Sequence, residues 1–288
     1  MSERLSDVAV RIESVRQLSA VVAAMQGIAA SRSREARGQL AGVQSYARTI
    51  ATAIGLALAY QPAGAQAAAP GASPAGRHAV VAICAEQGFA GLFNERVLDA
   101  AERLVAAAPE PVQLLLVGDR GLMAAGTRKL AVAWSAPMMG HVGQATALAN
   151  QIVAELYRRI DRDGVSRISV VHAVPSSAQG VEVRETVLLP FDFARFPPAR
   201  HAAQPLITLQ PDVLLARLAE EYVFAELCEA VTLSFAAENE ARLRAMVAAK
   251  SNVTRTLGDL TAKSRRLRQE EITSEILELA GGQNASTG

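Results

Sequence analysis

Apolar residues near the start of the chain recur at helical spacing: Leu5, Val8, Ile12, Val15, Val22, Met25 and Ala29 follow a three-four repeat, with one turn skipped at Ser19. Arg4, Arg11, Arg16, Arg32, Arg34 and Arg37 flank that stripe. A narrow apolar seam between charged flanks marks a helix that pairs with another helix, not one lying on a broad core. The last stretch repeats the arrangement with Leu243, Met246, Val253, Leu257, Leu260, Leu267, Ile276 and Leu279, with polar seam positions at Lys250 and Ser264. Proline supports the same reading. All 12 prolines fall between Pro62 and Pro211, and a proline costs about 3 kcal/mol inside a helix. The pattern predicts two long terminal helices, over 1–60 and 211–288, whose seams pair as an antiparallel coiled coil. At about 1.5 Å per residue, helices of roughly 55 and 70 residues measure about 80 and 105 Å.

Between these ends the pattern changes. Residues 61–76 are rich in Ala, Pro and Gly and poor in large apolar side chains, which predicts a linker. Over 77–210, short apolar runs from His78 to Cys84, Pro111 to Val117 and Arg167 to Val174 alternate with helical patterns from Asn94 to Ala107 and Gln144 to Asp163. That alternation predicts a small parallel α/β domain, Rossmann-like in build, inserted between the coiled-coil helices. A further strand is expected from Val181 to Leu189, stopped by Pro190, and Asn94 reads as a helix N-cap.

Composition removes several functions. The formal charge is +1 and aromatics make up 4%, so neither a basic field nor a set of stacking rings points to nucleic acid. Cys84 and Cys228 lie far apart with no Cys-x-x-Cys pairing, which fits a reducing compartment. The amphipathic pattern begins by Leu5, so no cleaved leader is expected. Runs such as Val112 to Val117 and Val165 to Val174 are far shorter than the roughly 20 residues that cross a bilayer.

A parallel α/β domain often binds nucleotides at its strand ends, but the motifs for it are missing. There is no Gly-x-x-x-x-Gly-Lys-Ser/Thr loop, and Gly118-Asp119-Arg120-Gly121 lacks the Gly-x-Gly-x-x-Gly spacing. Gly88 and Gly91 read as turn formers. His78, His141, His172 and His201 lie on separate elements, so structural roles outweigh a metal site. Cys84 reads as a small buried hydrophobe. No catalytic residue, cofactor or metal is expected.

Several segments together resemble the γ subunit of rotary F-type ATP synthases. They are Arg11-Ile12, Ser14-Val15 and Ala24-Met25 through Ile28-Ala29-Ala30-Ser31 at one end, and Glu238-Asn239-Glu240-Ala241-Arg242-Leu243-Arg244-Ala245-Met246 with Arg268-Gln269, Ile272-Thr273 and Glu275 at the other. Leu188-Leu189-Pro190 and Leu115 to Gly121 resemble internal landmarks. There are departures: Gly88-Phe89-Ala90-Gly91-Leu92 stands where the family has a segment of the type Gly-Leu-Cys-Gly-Gly, Gln210 where it often has glutamate, and Glu270-Glu271 where a small pair is usual.

The resemblance implies a non-catalytic rotor that couples ion translocation in a membrane sector to ATP synthesis or hydrolysis in a catalytic sector. Its implied partners are the α and β subunits of the catalytic hexamer, the ε subunit and the c-ring, at the cytoplasmic face of a bacterial inner membrane that it meets only through the complex. Carried over residue by residue, Met25, Arg242, Arg268, Gln269, Thr273 and Glu275 are expected to contact β, and Leu209 and Gln210 the c-ring or ε. Ile272, Ile276, Leu277 and Leu279 are expected to form an apolar tip. A non-rotary coiled-coil adaptor and a nucleotide-binding α/β enzyme are the rival readings.

Overall fold

The computed structural model describes residues 5–60, 76–176, 180–198 and 207–285. Apart from Gly76, the stretch read as a linker lies outside them, as does His201. Helix α1 is Leu5–Leu58, 54 residues, and the last helix, α5, is Pro211–Ala285, 75 residues. At about 1.5 Å per residue these measure about 81 and 112 Å. Between them come β1 (Arg77–Ile83), α2 (Phe93–Ala107), β2 (Val112–Val117), α3 (Asp119–Thr127), β3 (Val132–Ala136), α4 (Ala145–Asp163), β4 (Val165–Val174) and β5 (Glu182–Leu189).

The chain divides into two compact units, Met1–Ile28 with Leu243–Gly288, and Ala29–Arg242. The first contains only the start of α1 and the later part of α5. Val8 at 0% exposure and Val22 at 5% are buried on one helix, and Met246, Val253 and Leu260 on the other. Among the described residues that unit holds no third element, so each seam is covered by the opposite one, as the repeat predicts.

In the second unit the helix pair is tied by polar contacts whose order fixes its direction. Arg37 pairs with Glu240, the Gln44 amide donates to Glu229 at 2.9 Å, and the Tyr46 hydroxyl donates to Glu221. Numbers rise on α1 as they fall on α5, so the helices run antiparallel. Nearer the α1 C-terminus the pair closes on Ile54, Ala57, Leu215 and Ala219, beside Phe191 and Phe196.

The sheet of this unit has the order β3-β2-β1-β4-β5. The first four strands are parallel, but β5 runs antiparallel to β4 at the edge. The parallel core matches the expected α/β domain, and β5 adds an antiparallel edge that makes the sheet mixed. Helix α3 and strand β3 also join the elements read from sequence. Helices cover both faces: Ala79, Val81 and Ile83 pack towards α4 and α5, while Val80 and Ala82 pack towards α2. Burial on both sides is why β1 reads as an unbroken apolar run. Asn94 is not an N-cap. Leu92 holds that position, and the Asn94 side chain accepts the Ala85 N–H at 2.8 Å.

His172 on β4 is 3% exposed and lines a polar cavity of about 200 Å³ with Arg184, Thr186, Arg195, Glu226 and Glu229. Burial, helped by the nearby Arg184 charge, lowers its pKa to about 4. Below pH 6.5 the unfolded chain takes up a proton that the folded chain refuses until about pH 4, so stability falls across that window. Replacing His172 by asparagine is expected to remove about 2 kcal/mol of the loss between pH 7 and pH 4.5. Urea denaturation of the two proteins at the two pH values checks this.

Candidate functional site

Side-chain burial along α5 reaches Leu267, which is half-buried, and every position from Arg268 to Leu277 is exposed. The residues predicted to meet a partner at this end therefore stand uncovered on one helix. Arg268, Ile272, Glu275 and Ile276 fall within one stripe by their three-four spacing, with Gln269 and Thr273 beside it. Ile272 is 49% exposed and Ile276 59%, so the stripe pairs a cation with two apolar side chains. The Thr273 hydroxyl donates to the Gln269 carbonyl at 2.7 Å, and Arg266 pairs with Glu270 at 3.6 Å. Arg268 has no ion-pair partner among the described residues. It is free to hold a carboxylate on another protein with two parallel hydrogen bonds. The Leu279 side chain lies outside the described residues.

Met25 is half-buried on α1, a seam position rather than an open one. Leu209 and Gln210 are exposed just ahead of α5, where the Gln210 carbonyl accepts the Leu214 N–H at 2.9 Å and opens the helix.

Arg242 lies elsewhere. It is 4% exposed, and its guanidinium turns into its own chain. Nε donates to the Gly88 carbonyl at 3.1 Å, Nη2 to the Gln87 carbonyl at 3.0 Å and to Glu238 at 2.5 Å, and Nη1 to Asn239 at 3.1 Å. Within this chain, then, Arg242 is committed to internal contacts, whereas the motif pointed outward. Burial pushes the Glu238 carboxyl up, and the Arg242 charge opposes that shift.

These groups fill the crevice at the C-terminal ends of the parallel strands. Glu86 accepts the Met138 N–H at 2.7 Å and the Asp119 N–H at 3.2 Å, the latter at the start of α3. A carboxylate at a helix start takes the place that a ligand phosphate takes in nucleotide-binding relatives of this architecture. The Ser234 hydroxyl donates to the Ile83 carbonyl at 3.1 Å. Gly118, at φ 102°, brings the ends of β1 and β2 together: a side chain there would meet the Cys84 and Ala85 carbonyl oxygens at 2.6 and 2.7 Å. At Gly121 an added Cβ would lie 2.1 Å from Cys84 Cβ. Cys84 is fully buried, and burial raises its thiol pKa far above the ordinary value. The roles of Glu86 and Glu238 are invisible in a linear reading. For Glu238 the one sequence signal is the polar run Glu238-Asn239-Glu240 at the end of a buried, alanine-rich stretch of α5.

Among the described residues no three His, Cys, Asp or Glu side chains are grouped to hold a metal, and no helix is long and apolar enough to cross a membrane. A strand-end crevice filled from within, two long paired helices and an uncovered helix end together define a coiled-coil stalk protein.

Comparison with known proteins identifies which kind. A family model described as ATP synthase matches residues 4–285. The ATP synthase gamma chain of Frankia casuarinae is 31% identical, over 99% of this chain and 98% of that one, and that of Streptomyces coelicolor is 30% identical, over 96% and 93%. Among solved structures, a chain of the Euglena gracilis mitochondrial ATP synthase, from its OSCP/F1/c-ring portion, superposes with a TM-score of 0.63 at 14% identity, over 98% of this chain and 94% of that one. At that identity the likeness is one of fold. The chain belongs to the ATP synthase gamma family.

Proposed function

We propose that this chain is the central-stalk rotor of an F-type ATP synthase, coupling ion translocation in the membrane sector to ATP synthesis or hydrolysis in the catalytic sector by rotation. The observation that carries the reading is the uncovered end of α5, where an unpaired Arg268 and exposed Ile272 and Ile276 share one stripe. A rotor shifts a catalytic subunit only by binding its conformations unequally. A single helix with a cation and an apolar ridge on one side supplies that inequality as it turns. The coiled coil supplies stiffness, since packed seam side chains resist sliding of one helix on the other.

The partners of this reading are the α and β subunits around the helix pair, and the ε subunit and c-ring around the α/β domain. Arg268, Gln269, Thr273 and Glu275 are the contacts assigned to β, Met25 supports them from the seam, and Leu209 and Gln210 are assigned to the c-ring or ε. Bacterial relatives of full length support a place at the cytoplasmic face of the inner membrane, reached through the complex.

The test is co-assembly with α and β subunits from the same genome. ATP hydrolysis is expected to rise on addition of this chain, and failure to co-assemble overturns the reading. Within that assembly, Arg268→Ala is expected to lower turnover about 3- to 10-fold, as for loss of a charge-assisted contact. Arg48→Ala, on an exposed face of α1, serves as the control, and equal effects remove Arg268 from the contact set.

A further inference from the structure

Resting on the rotor reading, we propose that Arg242 is a torsional latch, a positioning residue that locks α5 to the α/β domain so that both turn as one body. α5 lies along the sheet through Leu227, Val231 and Phe235 on one side of the core and through Ala237 and Ala241 on the other. Such apolar contact is non-directional. It resists lifting the helix from the sheet better than it resists rolling the helix about its own axis. Resistance to rolling needs bonds with a fixed direction.

Arg242 supplies them. Its planar fork donates to two successive carbonyls, at Gln87 and Gly88, while Glu238 and Asn239 of the same helix hold the fork from behind. The loop it grips is in turn fixed to the sheet. Ala85 accepts N–H groups from Arg120 and Gly121, and Glu86 bridges the starts of the segments after β2 and β3. The grip therefore reaches the ends of three strands through one side chain. At 4% exposure the guanidinium has no face left for another protein. A lysine cannot substitute, because a point charge on a flexible stem does not span both carbonyls and the carboxylate together.

The experiment uses the assembled rotary complex with a bead on the α/β domain, and reads the angular spread of the bead within each catalytic pause. Arg242→Ala is expected to broaden the spread at least about twofold and Arg242→Lys to a lesser degree, as directional bonds are lost. Hydrogen exchange at the amides of residues 87–91 is expected to accelerate in the same order. Unchanged spread and unchanged exchange in a variant that assembles overturn the latch. A change in turnover with unaltered spread overturns it too, since that pattern belongs to a contact with the catalytic subunits. Should Arg242→Ala fail to assemble, Arg242→Lys carries the test. If the unaltered chain fails to rotate, it is the rotor reading that falls.

Discussion

Replacing Gly118 by alanine is expected to destabilise the α/β unit by about 3 kcal/mol or more, combining backbone strain with overpacking. Two effects add at this position. The backbone sits at φ 102°, which side-chain-bearing residues rarely adopt, and the new Cβ would press on two backbone oxygens at 2.6 and 2.7 Å. Neither oxygen belongs to a flexible group that swings aside. The Cys84 and Ala85 carbonyls are held by their own strand-end positions, and Ala85 accepts the Arg120 N–H that starts α3. Relief would require pulling β1 away from β2. Gly126→Ala is the control: it lies inside α3, the helix that Gly118 precedes, and a Cβ there meets nothing within 4 Å. That change is expected to be neutral or to stabilise by up to about 1 kcal/mol through helix propensity. Parallel urea titrations of the two variants check the contrast, and similar midpoints would refute the close approach.

Why some elements were legible from sequence and others were not follows from what each one buries. The terminal helices announce themselves because a two-helix seam repeats for tens of residues without proline. β1, β2 and β4 are readable because strands covered on both faces are written almost wholly in apolar residues. α3 has nine residues, two of them glycine, and β3 is a half-exposed edge containing Ser135, so neither carries a period long enough to register. β5 was visible as a strand but not in direction. The clue lay in the connection over 175–181, shorter than the dozen or so residues a parallel crossover needs.

The functional surface divides in the same way. Positions near Arg268 are assigned from a motif, and their exposure follows from the seam ending at Leu267. Arg242 belongs to the same motif, yet its orientation depends on carbonyls of Gln87 and Gly88, more than a hundred positions earlier. No local pattern on α5 encodes that pairing. The same distance hides the filled crevice, because Glu86, Glu238 and Arg242 become one cluster only when β1 and α5 meet.

The coiled coil gives the second large expected effect. Val22→Asp should unpair the helices of the Met1–Ile28 and Leu243–Gly288 unit, whereas Val21→Asp should leave them paired. The two valines are neighbours with the same intrinsic helix propensity, so the backbone cost of aspartate cancels in the comparison. Their surroundings differ: Val22 is 5% exposed and Val21 is 54% exposed. At position 22 the carboxylate enters a seam in which the buried residues of the facing helix, Met246, Val253 and Leu260, are apolar. Leaving a charge unpaired in such a place costs about 3 kcal/mol or more, and a unit of only two helices has few other contacts to absorb it. Thermal melting followed by helical circular dichroism is expected to show an early, separate loss of helix in Val22→Asp. Val21→Asp should melt like the parent, within about 0.5 kcal/mol as for surface changes. In the assembled complex the two positions then separate stiffness from contact. Val22→Asp should weaken coupling by softening the helix pair, and any effect of Val21→Asp must come from the surface that the stalk presents to the ring around it.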